Sequence, residues 1–442
     1  MSDAAAVPVQ GKDRLHHLDM IRGVALFGIL LMNITSFGLP RAYADPTVAG
    51  GATGLNLWAW ITTTMLFEGT QRALFSILFG AGVILLTSRL ETSGRTDVAD
   101  IYHRRSLWLI VFGVIHSYVL LWTGEILFSY GLAGLFLYPL RKLAARPLLT
   151  MAAGGLVILA LWGVLDSYNA NEKWQKASAA QALAATGAAL TEEQRGDIDA
   201  WKEFEGEQKP DARRLNKNIE AHRGSYVDVL LFQAPVSAYM QSWFNYRYFF
   251  DVFSLMLGGM ALFKLGVLRL RSPRRVYAAM VGIGYGVGLA VNYYELRIVM
   301  DGQFSVLAFL RSGWTYDLGR LAMTAGYLGA LLLFARAGWL PWLQRSLAAV
   351  GQMALSNYLA QSIICAFVFY GFGFGLYGRL ARHQLYYVVF AIWVFQLITS
   401  PIWLKYFLFG PFEWLWRSLT YVKKQPMRRA APDRVPMTPI VA

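Results

Sequence analysis

Runs of roughly twenty apolar residues recur along almost the whole of this 442-residue chain, and no other feature restricts its fold so tightly. A run of that length is what an α-helix needs to cross the hydrocarbon core of a bilayer. Only helices and closed barrels satisfy every backbone polar group there, and a barrel would show alternating segments of about ten residues. That alternation is missing. Composition agrees with helices in lipid: 56% of the residues are hydrophobic and 15% charged, against about 25% charged in soluble proteins. The expected fold class is all-α, a polytopic transmembrane helix bundle.

Ten spans are expected, near 20–39, 55–88, 106–123, 125–141, 147–166, 246–266, 275–298, 315–335, 346–372 and 384–408. No A-x-A-like cleavage site follows the first, so it reads as a retained span. The second is too long for one straight crossing. Its centre, FEGTQRALFSILFGAG, holds Glu68, Gly69 and Arg72, and reads as a broken or re-entrant helix. The stretch 226–243 is apolar but would break the parity of crossings, so it reads as interfacial or re-entrant.

The net charge of +14 is carried by short clusters between the spans: Lys12 and Arg14, Arg89 to Arg105, Arg141 to Arg146, Lys264 to Arg275, Arg336 and Arg345, and the final KKQPMRR. With ten crossings all of them fall on one side, which the positive-inside rule makes cytoplasmic. Both termini are then cytoplasmic, and the charge gives no reason to invoke nucleic acid. Residues 167–224 are polar, Ala-rich and mixed in charge, and are expected outside as short helices. Four regions follow: an N-terminal bundle (1–166), the external insertion (167–224), a C-terminal bundle (225–422) and a basic tail (423–442). The single Cys365 excludes an intramolecular disulfide.

Ionisable groups inside spans cost about 2.5–3.5 kcal/mol each on insertion scales, which makes them candidates for function. His116 and Glu125 fall within GVIHSYVLLWTGEILFSYG. A carboxylate near a histidine raises its basicity and orients its ring, as a general base requires. The alternative is a buried imidazole bonded to a neighbouring helix. Asp19 and Arg22 are spaced i,i+3 as a helical ion pair, either anchoring the first span or receiving a phosphate. Asn33, near its external end, suits a carbonyl or hydroxyl partner, or serves as helix glue. Glu68 and Arg72, spaced i,i+4, read as a substrate site or as mutual neutralisation, and Asp317 with Arg320 as a lesser pair of the same kind. Gln352, Ser356 and Asn357 share one helical face as polar glue, and GIGYGVG (282–288) reads as helix packing. No H-E-x-x-H, Walker A, G-x-S-x-G or paired-Cys spacing occurs, so no metal is expected.

LDMIRGVALFGILLMN, FEGTQRALFSILFGAG, GVIHSYVLLWTGEILFSYGLAGL, VGQMALSNYLAQSII and FLFGPFEWLWRSLTY together resemble the YeiB-like membrane proteins that carry the DUF418 domain. The first spans also resemble the transmembrane acyltransferases typified by heparan-glucosaminide acetyltransferase, whose LD-x-x-RG…N opening matches Asp19, Arg22, Gly23 and Asn33. That family places a catalytic histidine about eleven residues after the asparagine, where this chain reads RAYADPTV. The resemblance implies an integral membrane protein moving an acyl group from a cytoplasmic thioester, acetyl-CoA or another acyl-CoA, to an extracytoplasmic or lipid-embedded acceptor. Arg22, with Asp19 and the basic loops, would serve the donor and hold its phosphates, Asn33 the acyl carbonyl, and His116 with Glu125 the missing base. A transporter using His116, Glu125 and Glu68 is the rival reading, and a membrane scaffold the third. The partners expected are membrane lipids and a small-molecule, sugar or lipid acceptor, with self-association open. A bacterial inner membrane is the expected location.

Overall fold

The computed structural model describes residues 15–429, and within them the chain is a bundle of helices. Helix α1 (His16–Gly38) runs through the centre, with 72% of its apolar window buried. A loop leads to α2 (Gly54–Leu66) and α3 (Thr70–Thr92), which are separated at Gly69. This is the break expected from the sequence. Gly69 has a φ of 67°, a left-handed conformation open to glycine at no steric cost. A Cβ there would lie 2.4 Å from Arg320 Cδ.

After α4 (Val98–Tyr118) and the eleven-residue α5 (Leu127–Leu137) comes α6 (Ala145–Ala185), 41 residues without interruption. At 1.5 Å per residue it is about 60 Å long, twice the roughly 30 Å hydrocarbon thickness. It therefore runs straight through residue 166 and carries the start of the insertion on its far half. Little of its apolar half is buried, so that half faces outward from the bundle.

The insertion is completed by α7 (Glu192–Gln208) and α8 (Ala212–Arg223). Both start with side-chain caps, from Thr191 and Asp211, which satisfy amide donors left open at a helix start. Trp201 of α7 packs on Ala177 of α6 and on Val306. The stretch expected to be interfacial is helical: α9 (Tyr226–Tyr239) passes through a π-turn at Met240–Phe244 into α10 (Asn245–Lys264). The remainder is α11 (Arg274–Asp301), α12 (Val306–Ser312), α13 (Tyr316–Ala337), α14 (Pro341–Gln352), α15 (Ala354–Phe369), α16 (Arg382–Tyr406) and α17 (Pro411–Tyr421). Glycines of GIGYGVG pack α11 on α13: a Cβ on Gly284 would lie 2.4 Å from the Gly326 amide.

Helix length and apolarity give six membrane-capable segments among the described residues: α1, Gly54–Thr92, α6, α11, α13 and α16. The pair α14 and α15, bent by 81°, brings the number to seven when the two are counted as one broken span. Ten were expected. The three that fall short are α5, which is too short, and α4 and α10, which carry charged residues such as Arg104, Arg105, Arg247 and Asp251.

The basic links nevertheless gather at one end. Arg141 bonds Glu91 at 3.0 Å, Lys264 donates to the Arg141 and Leu143 carbonyls, His17 contacts the Leu268 carbonyl at 2.9 Å, and Arg336 donates to the Ser272 carbonyl. The insertion closes the other end. Arg41 donates to the Glu207 carbonyl, Lys209 lies 3.4 Å from Asp45, and Arg223 donates to the Tyr377 carbonyl.

His222 fixes that closure. Its ring stacks on Tyr377 at 4.2 Å, Nδ1 bonds the Asn218 carbonyl, and Nε2 accepts from the Gln233 amide at 3.0 Å. Burial pushes its pKa down to about 4, so the folded protein holds it neutral. The unfolded chain binds the proton near pH 6.5, so stability present above pH 6.5 is lost as pH falls towards 4, by about 3 kcal/mol in total. His222→Gln is expected to flatten the Tm-against-pH profile over that window. Parallel profiles for both proteins would contradict it.

Candidate functional site

A cavity of about 1020 Å³ occupies the basic end of the bundle. Its mouth is net cationic, with Arg22 of α1, Arg89 of α3, Arg95, Arg105 of α4 and Arg417 of α17 set against Asp19, Asp97 and Glu413, of which Asp97 pairs with Arg95 at 2.7 Å. Further in, the walls become apolar, with Leu26, Ile29, Phe75, Leu78, Leu109 and Ile126, and Tyr130 and Tyr358 supply the polar atoms. A cationic rim over an apolar interior suits an amphiphile with an anionic head.

Helix packing creates this shape. α1 and α14 cross at glycines: a Cβ on Gly351 would lie 1.8 Å from the Asp19 carbonyl, and one on Gly23 would lie 2.2 Å from the Leu347 carbonyl. The crossing brings α1 against the bend between α14 and α15. Arg22 is held by Asp19 at 2.7 Å, the i,i+3 pair expected from spacing, and both line the cavity.

The bend frees backbone amides at the start of α15, and Glu413 of α17 fills that need. Its carboxylate accepts from the Leu355 and Ser356 amides, at 2.6 and 3.0 Å, and from the Ser356 hydroxyl. A carboxylate on a helix N-terminus meets both the open N–H groups and the positive end of the helix dipole. Trp416 donates to the Arg105 carbonyl, while the Arg105 guanidinium lies 3.6 Å over the Trp416 ring. The motif GPFEWLWR thus seats α17 as a wall of the cavity. Because of the bend, Gln352, Ser356 and Asn357 do not share one face. Gln352 lines the cavity, Ser356 meets Glu413, and Asn357 bonds the Val350 carbonyl and Ser400.

His116 is completely buried. Its Nε2 bonds the Ser362 hydroxyl at 2.8 Å, Nδ1 has no partner, and its ring meets Tyr358 edge-on at 4.9 Å. Since Tyr358 lines the cavity, the imidazole lies one residue behind the wall. Glu125 does not orient it. That carboxylate accepts from the Phe128 amide at the start of α5 and from Gln241, both at 3.0 Å. The nine-residue interval crosses a turn, and the turn sends the two groups to different partners. Asn33 lies one helical turn beyond Ile29 on the face of α1 that carries Arg22 and Leu26, and is half-buried. It is not among the cavity-lining residues.

Glu68 and Arg72 do not pair with each other as their i,i+4 spacing suggested, because the left-handed Gly69 interrupts the helical register between them. Glu68 accepts from the hydroxyls of Tyr43 (3.2 Å) and Tyr316 (3.4 Å). Arg72 lies 3.5 Å from Asp251 of α10 and 5.0 Å over the Tyr248 ring. Asp251 also takes a two-pronged pair from Arg320, at 2.7 and 3.0 Å, and Arg320 bonds Asp317 at 2.6 Å. The lesser pair of the sequence reading thus belongs to a chain of four ion-paired residues, Arg72–Asp251–Arg320–Asp317, with Glu68 beside it. Asp251 was missed, although a lone acid in an apolar helix was the available signal. The rim arginines Arg89, Arg95 and Arg105 belong to one of the basic links that the sequence reading offers, with Arg22, to donor phosphates.

Membrane-capable helices packed around buried charge and a cationic-to-apolar cavity define a polytopic integral membrane protein. Sequence comparison places it more narrowly. The chain is 32% identical over 415 residues to the "Uncharacterized protein YeiB" of Escherichia coli (strain K12), covering 91% of this chain and 95% of that one. It is 29% identical over 443 residues to the "Uncharacterized protein YxaH" of Bacillus subtilis (strain 168), covering 96% and 98%. The family described as protein of unknown function DUF418 matches residues 262–423. No solved structure matches. The chain belongs to the YeiB-like DUF418 family.

Proposed function

We propose that this protein is a membrane acyltransferase that takes an acyl group from a cytoplasmic thioester, acetyl-CoA or a longer acyl-CoA, and delivers it to an acceptor on the other side or within the bilayer. The observation that carries the reading is the cavity: five arginines at the basic end and an apolar interior reaching Tyr130 and Tyr358. Its volume lies at the upper end of the roughly 300–1,000 Å³ of ligand pockets. The arginine fork matches phosphate oxygens, and the apolar walls suit a pantetheine arm and acyl chain. A transporter needs no such cationic-to-apolar gradient with a histidine seated behind its inner wall at Tyr358.

In this reading Arg22 and Arg105 bind donor phosphates, and Asp19 holds Arg22 in place. Asn33, which lies beyond the cavity lining on the same helix face, has no contact with the donor in this reading. His116 takes the proton of the acceptor hydroxyl or amine as that atom bonds the thioester carbon. The C–S bond breaks, and the imidazolium returns the proton to the departing thiolate. Ser362, rather than Glu125, is the group that sets the ring's orientation.

Binding tests the donor site. Arg22→Gln and Arg105→Gln should each weaken acyl-CoA binding about ten-fold, the scale of one charged hydrogen bond, in protein that remains folded. Unchanged binding in both folded variants would remove the donor assignment. The reading also requires the basic end to face the cytoplasm of a bacterial inner membrane. With Cys365 replaced by Ala, a cysteine at Leu190 should label in intact cells and one at Lys424 should not. The reverse pattern would invert the topology.

A further inference from the structure

We propose a second binding site at the break between α2 and α3, shaped for a neutral polyhydroxylated ligand of the carbohydrate type. It rests on the acyl-transfer reading for its role as the acceptor site, though binding itself does not depend on that reading.

The cluster there is more than mutual neutralisation. Two arginines, Arg72 and Arg320, face three carboxylates, Glu68, Asp251 and Asp317. The arginine charges are already met by Asp251 and Asp317, and Glu68 adds a third acid rather than a positive charge. An anion therefore finds no free positive charge, and a cation would have to sit among guanidinium groups. Hydrogen-bonding capacity nevertheless remains on both sides. Arg72 Nε, Arg320 Nε and the Tyr248 hydroxyl are buried without partners. Both bonds to Glu68 fall on Oε1, and Asp317 engages Arg320 through Oδ1. Buried polar groups are nearly always satisfied, so unspent donors beside unspent acceptors point to a ligand offering both. Hydroxyl groups do so without charge.

The site is also reachable. The side chain of Arg72 is 34% exposed and that of Asp317 23%, and Tyr43 at the entrance is 38% exposed. Tyr43, Tyr248 and Tyr316 supply ring faces for the apolar side of a sugar. Tyr43 belongs to the loop after α1, whose Asp45 is held by Lys209 of the insertion. The entrance is thus at the end opposite the arginine rim. At its inner side Tyr130, a cavity residue, bonds Ser76 at 2.6 Å and the Arg72 carbonyl at 3.3 Å. The two sites share that wall, so an acceptor entering from the insertion side would approach the inner end of the donor cavity.

The test is calorimetric titration of protein in lipid nanodiscs, free of sugar detergents. The probes are methyl glycosides of glucose, galactose and N-acetylglucosamine, with glucuronate and inorganic phosphate as charged controls and an acyl-CoA for the cavity. At least one methyl glycoside should bind, and more tightly than either anion. Glu68→Gln should weaken it about ten-fold and Tyr248→Phe, which keeps the ring, about five-fold, with acyl-CoA binding unchanged in both. Absence of glycoside binding, preference for an anion, or full affinity in Tyr248→Phe would overturn the proposal. Glycoside binding lost in these variants, in a protein that binds no acyl-CoA, would uphold this site and overturn the acyl-transfer reading instead.

Discussion

Arg320→Met is expected to destabilise the protein by about 3–5 kcal/mol, the range for stripping one partner from a buried ion pair. Arg320 is 2% exposed and serves both Asp251 and Asp317. Without it, Asp251 keeps only Arg72, at 3.5 Å and without the two-pronged geometry, which places the loss towards the lower end. Because the cost comes from a stranded carboxylate rather than from lost packing, Asp251→Asn in the same chain should recover much of it. Thermal unfolding of the purified variants measures both quantities. An Arg320→Met protein as stable as the parent, or a double variant weaker than the sum of the single changes, would contradict the account.

The second large effect concerns His116. His116→Ala is expected to lower acyl transfer by about 10²–10⁴-fold, the usual contribution of a general base, with acyl-CoA binding retained. Ser362→Ala, which removes the hydroxyl bonded to Nε2, should lower the rate less and shift its pH profile, because the ring loses the hydrogen bond that holds its orientation while Nδ1 has no partner to replace it. Rate measurements need a mass-spectrometric readout of acylated acceptor alongside donor binding. Full turnover in His116→Ala would make the histidine a structural partner of Ser362 and Tyr358. A fall in donor binding equal to the fall in rate would mean the change collapsed the cavity wall.

Much of the candidate site was legible wherever its geometry is local. The Asp19–Arg22 pair forms as spaced because two residues three apart on one unbroken helix are neighbours whatever surrounds them. The same rule misled at Glu68 and Arg72. There Gly69 takes a positive φ, the register between the two is lost, and each side chain finds partners on other helices. It misled again at Gln352 and Ser356, which a bend of 81° separates. His116 and Glu125 stood out as costly residues, but the turn between them decides their partners, and turn direction is not readable from apolar spacing.

The sequence by itself determined the medium and the elements: apolar runs long enough for a bilayer, basic links that gather at one end, a break at Gly69, and a polar insertion closing the other end. Each follows from residues near one another in the chain, through helix period, chain length and local backbone freedom. Tertiary structure alone decided the choice of partners. Arg320 meets Asp251 across 69 residues, Glu413 caps a helix that starts 59 residues earlier, and His116 bonds Ser362 across 246. Such pairings depend on how far one helix slides and rotates against another, which close glycine crossings limit at particular places, Gly23 and Gly351 between α1 and α14 and Gly80 and Gly259 between α3 and α10. Periodicity fixes which face of a helix is apolar, but leaves that slide and rotation undetermined, so the arginine rim and the ionic cluster take shape only when the helices pack.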